Sequence, residues 1–142
     1  WNFMLRKIFR YTWPPAIVAI IIFYLCCLIA PKDVPEIDFF LFIPTDKIVH
    51  FLMYIGLSGV ASFNYIYDKR GKIIILKLIL FALLVPIIYG GLIEILQSKY
   101  FPGRTGDWYD FLADALGAIA SLPFSFWFRR FLLNKELREQ EI

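Results

Sequence analysis

Apolar residues form four long runs along the chain, separated by charged residues and by clusters of proline and glycine. A transmembrane helix needs about 20 predominantly apolar residues to cross a hydrocarbon core of about 30 Å. The pattern therefore predicts four membrane-spanning helices, over about 14–30, 47–67, 73–97 and 108–128. We expect a single transmembrane domain over residues 1–142, built as an all-α bundle that crosses the membrane several times.

Prolines and tryptophans mark the predicted helices. Pro14 and Pro15 stand where a helix start tolerates missing N–H donors, and Pro86 predicts a kink in the third helix. Trp108 and Trp127 lie about 28 Å apart along a helix, a separation that matches two interfacial aromatic belts. The fourth helix should therefore cross the membrane between these two tryptophans.

Segments outside the four runs have their own interpretations. Residues 39–43 are too short a run to cross the membrane, so we predict an interfacial segment between the first two helices.

The basic residues before the first run, together with that run, resemble a signal peptide, but no small-residue cleavage site follows Leu28, so we expect a retained helix. The chain opens with Trp1, and we expect Met4 to be the native start. Residues 129–142 predict a short amphipathic or frayed helix at a solvated end.

Small residues predict close helix packing. On the fourth helix, Ala113, Gly117 and Ser121 recur at every fourth position, a common interface pattern in membrane helices. The second helix has its own group of small residues, which we also expect at helix contacts: Gly56, Ser58, Gly59 and Ala61.

Composition agrees with a membrane protein and leaves no room for a soluble domain. Hydrophobic residues make up 60% of the 142 residues, and the mean hydropathy is +0.66, whereas soluble domains are about 45–50% apolar. The two cysteines, Cys26 and Cys27, are adjacent on a helix, where side chains point about 100° apart. We interpret both as packing residues and not as a disulfide.

The distribution of charge predicts the orientation. With a cytoplasmic N-terminus, eleven of the 15 Lys and Arg residues lie on the cytoplasmic side and eight of the 12 Asp and Glu residues lie outside, as the positive-inside rule favours for the basic residues. We therefore expect a multi-pass protein of the cytoplasmic membrane with both termini in the cytoplasm. The net charge of +3 follows from this topology, and we predict no nucleic-acid partner.

Ionisable residues gather at the predicted outer ends of the last three helices. They are Asp46, Lys47 and His50 in DKIVHF, Glu94 with Gln97 in GGLIEILQ, and Asp110 and Asp114 after Arg104. Residues three or four apart share a helix face, which groups Glu94 and Gln97 with Gly90, and Asp110 and Asp114 with Gly117 and Ser121. Because a charge at the centre of a membrane helix costs about 2.5–3.5 kcal/mol, we expect these groups to face one another in a polar cleft open to the outside.

The residues alone leave three interpretations of this cleft open. In the first, Lys47 and Arg104 neutralise carboxylates, His50 hydrogen-bonds one, and the network only sets helix register. In the second, His50 and Glu94 perform general acid–base catalysis without a cofactor. The third, a hard divalent cation such as Mg²⁺, Mn²⁺ or Ca²⁺ on His50 and the carboxylates, is the weakest because the chain has a single histidine. We predict no cofactor and no metal ligands.

Three motifs, DKxxHF, ExxQ and RxxDxxDxxxDxxG, each at the outer end of a predicted helix, resemble those of the VanZ-like family of small membrane proteins. The resemblance covers about residues 35–121. It implies an envelope protein, and the family's namesake is associated with low-level resistance to the glycopeptide antibiotic teicoplanin. Asp114 departs from the pattern, since the family more often has Asn there. The matching positions are Asp46, Lys47, His50, Glu94, Gln97, Arg104, Asp107, Asp110 and Gly117.

The residues and the resemblance together predict a protein that binds or modifies a membrane lipid headgroup or a lipid-linked cell-wall precursor. We assign catalytic roles to His50, Glu94 and Asp110. The predicted ligand-binding residues are Asp46, Lys47, Gln97, Arg104, Asp107 and Asp114. A passive scaffold for other envelope proteins is the main alternative. Transport is less favoured, because no charged residue lies at the predicted membrane midplane.

Overall fold

The computed structural model describes residues 2–28, 45–100 and 108–142, and the side chains of residues 13–26, 47–100 and 108–142. This described part of the chain is helical and contains no strand, which confirms the predicted all-α class. Its elements are α1 (Asn2–Phe23) with a π-helical turn (Tyr24–Leu28), α2 (Thr45–Asp68), α3 (Ile75–Ile79) with a π-helical turn (Leu80–Leu84), α4 (Val85–Tyr100) and α5 (Trp108–Gln140).

Three helical stretches of the described chain are long and apolar enough to cross a membrane: Lys47–Asp68, Ile75–Tyr100 and Trp108–Gln140. Large apolar side chains such as Leu92 and Leu116 are exposed on the outside of the bundle, where lipid rather than water suits them. Both features indicate a membrane protein, as predicted. The predicted interfacial segment, residues 39–43, lies outside the described residues.

The first helix differs from its prediction. It begins at Asn2 and contains both Pro14 and Pro15, so the predicted start at about residue 14 is wrong. Proline removes hydrogen bonds from a helix, but its fixed φ near −65° is itself helical, and the chain can continue through it. The apolar part of α1, Trp13–Cys26, is about 21 Å long, which is shorter than a membrane core of about 30 Å.

Helices α2 and α5 pack side by side and run in the same direction. Their contacts join residues 63 or 64 positions apart: Lys47–Asp110, His50–Asp114 and Ser62–Ser125. Helix α4 lies between them in sequence and runs the opposite way, because its C-terminal Glu94 meets the N-terminal residues His50 and Asp110. One end of the bundle therefore holds the starts of α2 and α5 and the end of α4.

Two groups of buried apolar residues form the core. The first lies beside the polar end of the bundle and contains Ile22, Cys26, Tyr54, Leu57 and Ile93. The second lies toward the other end and contains Ala61, Tyr65, Ile66, Leu78 and Ala82. Cys26 is buried within the first group, which confirms its predicted packing role. The side chain of Cys27 lies outside the described residues.

Gly117 lets α2 and α5 touch through their backbones. A Cβ placed on Gly117 would collide with the carbonyl oxygen of Phe51 and would lie 3.2 Å from the backbone nitrogen of Ile55. No side chain fits between the helices at this point, as the small-residue spacing on the fourth helix predicts. The contact sets how close, and in which register, the two helices pack.

The predicted packing roles of the small residues of α2 are confirmed for two of them and wrong for the other two. Ser58 and Ala61 are buried, as predicted. The predicted roles of Gly56 and Gly59 are wrong, because an added Cβ at either position would meet nothing within 4 Å. Composition alone does not reveal which face of a helix meets its neighbour, and these two glycines lie off the contact face.

A π-helical turn lies directly before Pro86, where the sequence predicts a kink. Residues Leu80–Leu84 adopt this wider conformation directly before Val85 and Pro86. Pro86 has no N–H to give to the carbonyl of Ala82, and its ring crowds that oxygen. A wider turn relieves the crowding, so the helix continues to Tyr100.

The C-terminal end of α5 is a continuous helix to Gln140 with mostly exposed side chains, which agrees with the predicted amphipathic helix at a solvated end. Arg129 Nε donates a hydrogen bond of 3.1 Å to the carbonyl oxygen of Gly71, and Lys72 Nζ lies 3.9 Å from Glu136 Oε2. Gly71 has a φ of +80°, and a Cβ there would lie 2.9 Å from Leu133 Cγ. Only glycine fits this turn, which docks the tail of α5 beside the end of α2.

Candidate functional site

The starts of α2 and α5 bring the only histidine of the chain between two aspartates. His50 Nδ1 lies 2.9 Å from Asp114 Oδ1, and His50 Nε2 lies 3.9 Å from Asp110 Oδ2. Asp114 is completely buried, and His50 and Asp110 are also buried. An ionised carboxylate can only accept hydrogen bonds, so an ionised Asp114 takes the Nδ1–H of His50, and Nε2 faces Asp110.

Lys47 lies about one helical turn before His50 on α2 and contacts Asp110. Its Nζ donates a hydrogen bond of 3.0 Å to Asp110 Oδ1. The Lys47 side chain is 22% exposed, against 10% for the side chains of Asp110 and His50. Because α2 and α5 are parallel, the Lys47–Asp110 and His50–Asp114 pairs stack one above the other, and Lys47 is the more accessible end of the stack.

Helix α4 contributes a further carboxylate. Glu94 is buried, and one potential ligand atom from each of Glu94, His50 and Asp110 lies within 4.8 Å of the other two. These are the three residues to which the sequence assigns catalytic roles. The structure thus brings the predicted trio together from three helices, while their catalytic roles stay a prediction.

Gln97 lies at the edge of this cluster and holds α1 in place. Its Nε2 donates a hydrogen bond of 2.7 Å to the carbonyl oxygen of Cys26. Cys26 belongs to the π-helical turn that follows α1, where the regular i to i−4 pairing of the helix changes. This contact ties α1 to α4, and the predicted role of Gln97 in ligand binding stays a prediction.

Tyr54 belongs to the cluster but is missed by the sequence reasoning. It is completely buried, and its hydroxyl has no hydrogen-bond partner among the described residues. Its ring and the Asp114 carboxylate border the same point on α4, since both lie close to the Cα of Gly90. The sequence feature that points to Tyr54 is its position four residues after His50, on the same helix face. Tyrosine is common in apolar helices, so this spacing alone does not mark it as a site residue.

Gly90 makes room for the cluster on α4. A Cβ at this position would lie 2.9 Å from Asp114 Oδ2 and 3.3 Å from Tyr54 Cε1. Any side chain would therefore push the carboxylate or the tyrosine ring away from α4. The predicted shared face of Gly90, Glu94 and Gln97 is confirmed, since all three are buried.

The remaining predicted ligand residues cannot be assigned contacts. Arg104 and Asp107 lie outside the described residues, as does the side chain of Asp46, whose backbone belongs to the first turn of α2. In the described part of the chain, the predicted polar cleft is a packed cluster of Lys47, His50 and the carboxylates that contact them. It offers an imidazole nitrogen, carboxylate oxygens and an ammonium group in a shielded setting, which suits proton transfer or ion binding.

The function of this cluster rests on its own geometry. Comparisons of the chain with protein-family models, with curated proteins and with solved structures gave no match. The resemblance to the VanZ-like family is therefore carried by the three sequence motifs alone and stays a prediction.

Proposed function

We propose that this chain is a VanZ-like envelope membrane protein whose polar cluster binds, or chemically modifies, the headgroup of a membrane lipid or of a lipid-linked cell-wall precursor. The observation that supports this most strongly is the convergence of Lys47, His50, Glu94 and Asp110 at one end of a bundle with an apolar outside. Ionisable groups are costly within membrane helices and usually mark ligand or proton sites. A site at the helix ends lies near the depth of the headgroups.

The proposed topology has four crossings, with α1 as the first. Residues 13–28, the apolar part of α1 and its π-helical turn, extend about 24 Å, which suffices with modest local thinning of the bilayer. Residues 39–43 form the interfacial segment. Both termini lie in the cytoplasm, and the polar cluster lies at the outer surface of the cytoplasmic membrane. The concentration of Lys and Arg toward the opposite side supports this orientation.

The residues of the cluster have distinct proposed roles. Lys47, the most accessible of them, binds an anionic oxygen of the headgroup, for example on phosphate. His50 exchanges a proton through Nε2, because Asp114 holds Nδ1, and Glu94 and Asp110 complete the acid–base set. The other proposed contacts to the ligand come from Asp46, Gln97, Arg104 and Asp107.

The resemblance connects this proposal to glycopeptide antibiotics. Teicoplanin acts on a membrane-bound cell-wall target, so a protein that binds or alters that target's lipid-linked form would change how the target is presented. A contribution to teicoplanin resistance is the cellular consequence we propose. It depends on the ligand being a cell-wall precursor rather than an ordinary membrane lipid.

Replacement of one lysine tests headgroup binding. Purified protein in neutral detergent is titrated with short-chain phosphatidylglycerol and, separately, with a short-chain lipid-linked cell-wall precursor. A charge-assisted hydrogen bond contributes about 1.5–3 kcal/mol, so Lys47→Met should weaken binding at least about tenfold. Lys99→Met is the matched control, since Lys99 is exposed in the last turn of α4 at the same end of the bundle. It should leave the affinity unchanged.

The two ligands and the control separate the outcomes. Binding of the precursor alone supports a cell-wall role, and binding of both supports general headgroup recognition. Absence of binding by the unaltered protein, or an equal loss in both lysine variants, contradicts the proposal. Lys47 also pairs with Asp110, so its replacement can lower stability as well as affinity. The melting temperature of each variant is therefore measured together with its affinity.

A structural scaffold is the second candidate, and one observation favours it. Polar groups of the cluster pair with one another or with the backbone, as in Lys47–Asp110, His50–Asp114 and the hydrogen bond from Gln97 to Cys26. Such a network can serve only to set helix register. In that case Lys47→Met lowers the melting temperature, and neither headgroup ligand binds to the unaltered protein.

A further inference from the structure

We infer that His50, Glu94 and Asp110 form a binding site for a divalent cation, with Asp114 holding the histidine in position. One nitrogen and two carboxylate oxygens from three different helices lie within 4.8 Å of one another, and all three residues are buried. Ligand atoms about 2.1 Å from a metal ion lie about 3.0–3.4 Å apart, so small side-chain rotations close the site. The inference does not depend on headgroup binding by Lys47. It assigns His50 Nε2 and the two carboxylates to the ion, in place of the proton exchange proposed above for the metal-free cluster.

The histidine has the surroundings typical of a metal ligand. Its Nδ1 is 2.9 Å from Asp114 Oδ1, and its Nε2 faces Asp110 Oδ2 at 3.9 Å. A ligating histidine usually donates its other ring N–H to a carboxylate, which sets the tautomer and raises the basicity of the ligand nitrogen. Asp114 is completely buried, so it acts as a positioning residue and leaves Nε2 for the ion.

A second, independent feature points to a ligand here. Tyr54 is completely buried, and its hydroxyl has no hydrogen-bond partner within the described ranges. Its ring borders the cluster, because a Cβ placed at Gly90 would lie 3.3 Å from Tyr54 Cε1 and 2.9 Å from Asp114 Oδ2. Buried hydroxyls nearly always have a partner. A water molecule or other ligand carried by the cation supplies one.

The donor set selects the class of ion. Imidazole nitrogen suits zinc and similar transition metals, whereas carboxylate oxygen suits Mn²⁺, Mg²⁺ and Ca²⁺. A mixed site with one nitrogen and two oxygens therefore favours Mn²⁺ or Zn²⁺ over Mg²⁺, which keeps mostly water and oxygen ligands. Lys47 contacts Oδ1 of Asp110, and Oδ2 faces the histidine. Three protein ligands leave coordination positions open on the ion. An anionic headgroup oxygen binds at one of them, and this last point rests on the proposed function.

Manganese spectroscopy on the unaltered full chain tests this inference. The protein is prepared in neutral detergent without a histidine tag and without anionic lipid, and is titrated with Mn²⁺. Because His50 is the only histidine, spin-echo modulation from an imidazole nitrogen on the bound Mn²⁺ identifies it as the ligand. We expect one tightly bound Mn²⁺ per chain with this modulation, displaced by Zn²⁺. The measurement needs no variant and so does not depend on whether a variant folds.

Three variants then assign the ligands. Glu94→Gln should weaken Mn²⁺ binding at least about tenfold, and Asp114→Asn should weaken it about 10- to 100-fold, as expected for a residue that positions a metal-binding histidine. Glu139→Gln removes the same charge at an exposed site at the far end of α5. This matched control should bind Mn²⁺ like the unaltered protein.

The inference is overturned if bound Mn²⁺ shows no imidazole nitrogen, or if neither Mn²⁺ nor Zn²⁺ binds at about one ion per chain. An equal loss of binding in Glu94→Gln and Glu139→Gln also overturns it. No headgroup is present in these measurements, so their failure leaves the proposed headgroup binding standing. Failure of the Lys47→Met experiment, in turn, leaves the metal site standing.

Discussion

Replacement of Gly117 by alanine tests the helix contact on which the candidate site depends. The added Cβ would collide with the carbonyl oxygen of Phe51 and would lie 3.2 Å from the backbone nitrogen of Ile55. Backbone atoms cannot rotate aside as a flexible side chain can, so the two helices must move apart. Gly117 follows Asp114 by one turn and Phe51 follows His50 directly, so the movement also strains the His50–Asp114 pair.

The expected change in the free energy of unfolding follows from two opposing effects. Overpacking of a tight contact costs about 1–3 kcal/mol, and two backbone neighbours place this case near the upper end. Alanine gains about 1 kcal/mol over glycine in helix propensity measured in water. Gly117→Ala should therefore lower the free energy of unfolding by about 2 kcal/mol. Gly59→Ala is the matched control, because its Cβ meets nothing within 4 Å, and it should be neutral or stabilising by up to about 1 kcal/mol.

Unfolding of both variants is measured in mixed micelles by titration with sodium dodecyl sulfate, followed by tryptophan fluorescence. The two variants share the same change in composition, so the difference between their free energies of unfolding, about 2–3 kcal/mol, isolates the contact. Equal stability of Gly117→Ala and Gly59→Ala would refute the close approach of α2 and α5. The register that aligns His50 with Asp114 would then lose its physical basis.

Two further predictions concern the ends of the bundle. Gln97→Leu removes the donor to the Cys26 carbonyl, which costs about 1–3 kcal/mol, so alkylation of the Cys26 thiol in a Cys27→Ser background should accelerate about 5- to 150-fold. An unchanged rate would show that this hydrogen bond does not hold α1. Arg129→Ala removes the hydrogen bond to the Gly71 carbonyl and should increase amide exchange in residues 69–74, at a cost of about 1 kcal/mol. Unchanged exchange would contradict the docking of the tail.

Sequence reasoning predicts well those features that depend on a single helix. The four-residue spacing of Asp110 and Asp114, continued by Gly117 and Ser121, places all of these on one face of α5, and all of them are buried. The shared face of Glu94 and Gln97 on α4 follows from the same periodicity. Side-chain direction repeats every 3.6 residues, so which residues share a face is local information. The apolar runs likewise indicate a membrane protein without reference to any contact.

The errors fall where one helix meets another. Gly56 and Gly59 look like interface residues, but the contact face of α2 passes elsewhere. The docking of the α5 tail is not predicted, because Arg129 and Leu133 contact Gly71 on a different segment. The local sequence around a residue does not reveal which residue it will contact, because a packing surface is shared between segments far apart in the chain.

The candidate site shows the same division. Sequence alone determines that His50, Glu94 and Asp110 lie at the ends of apolar helices, where uncompensated charge is costly and polar groups must find one another. The tertiary structure decides that His50 pairs with Asp114, and that Lys47 takes Asp110. Those pairings depend on the parallel register of α2 and α5, which the backbone contact at Gly117 sets. A shift of one helical turn, about 5.4 Å, would keep every periodicity in the sequence and change every partner.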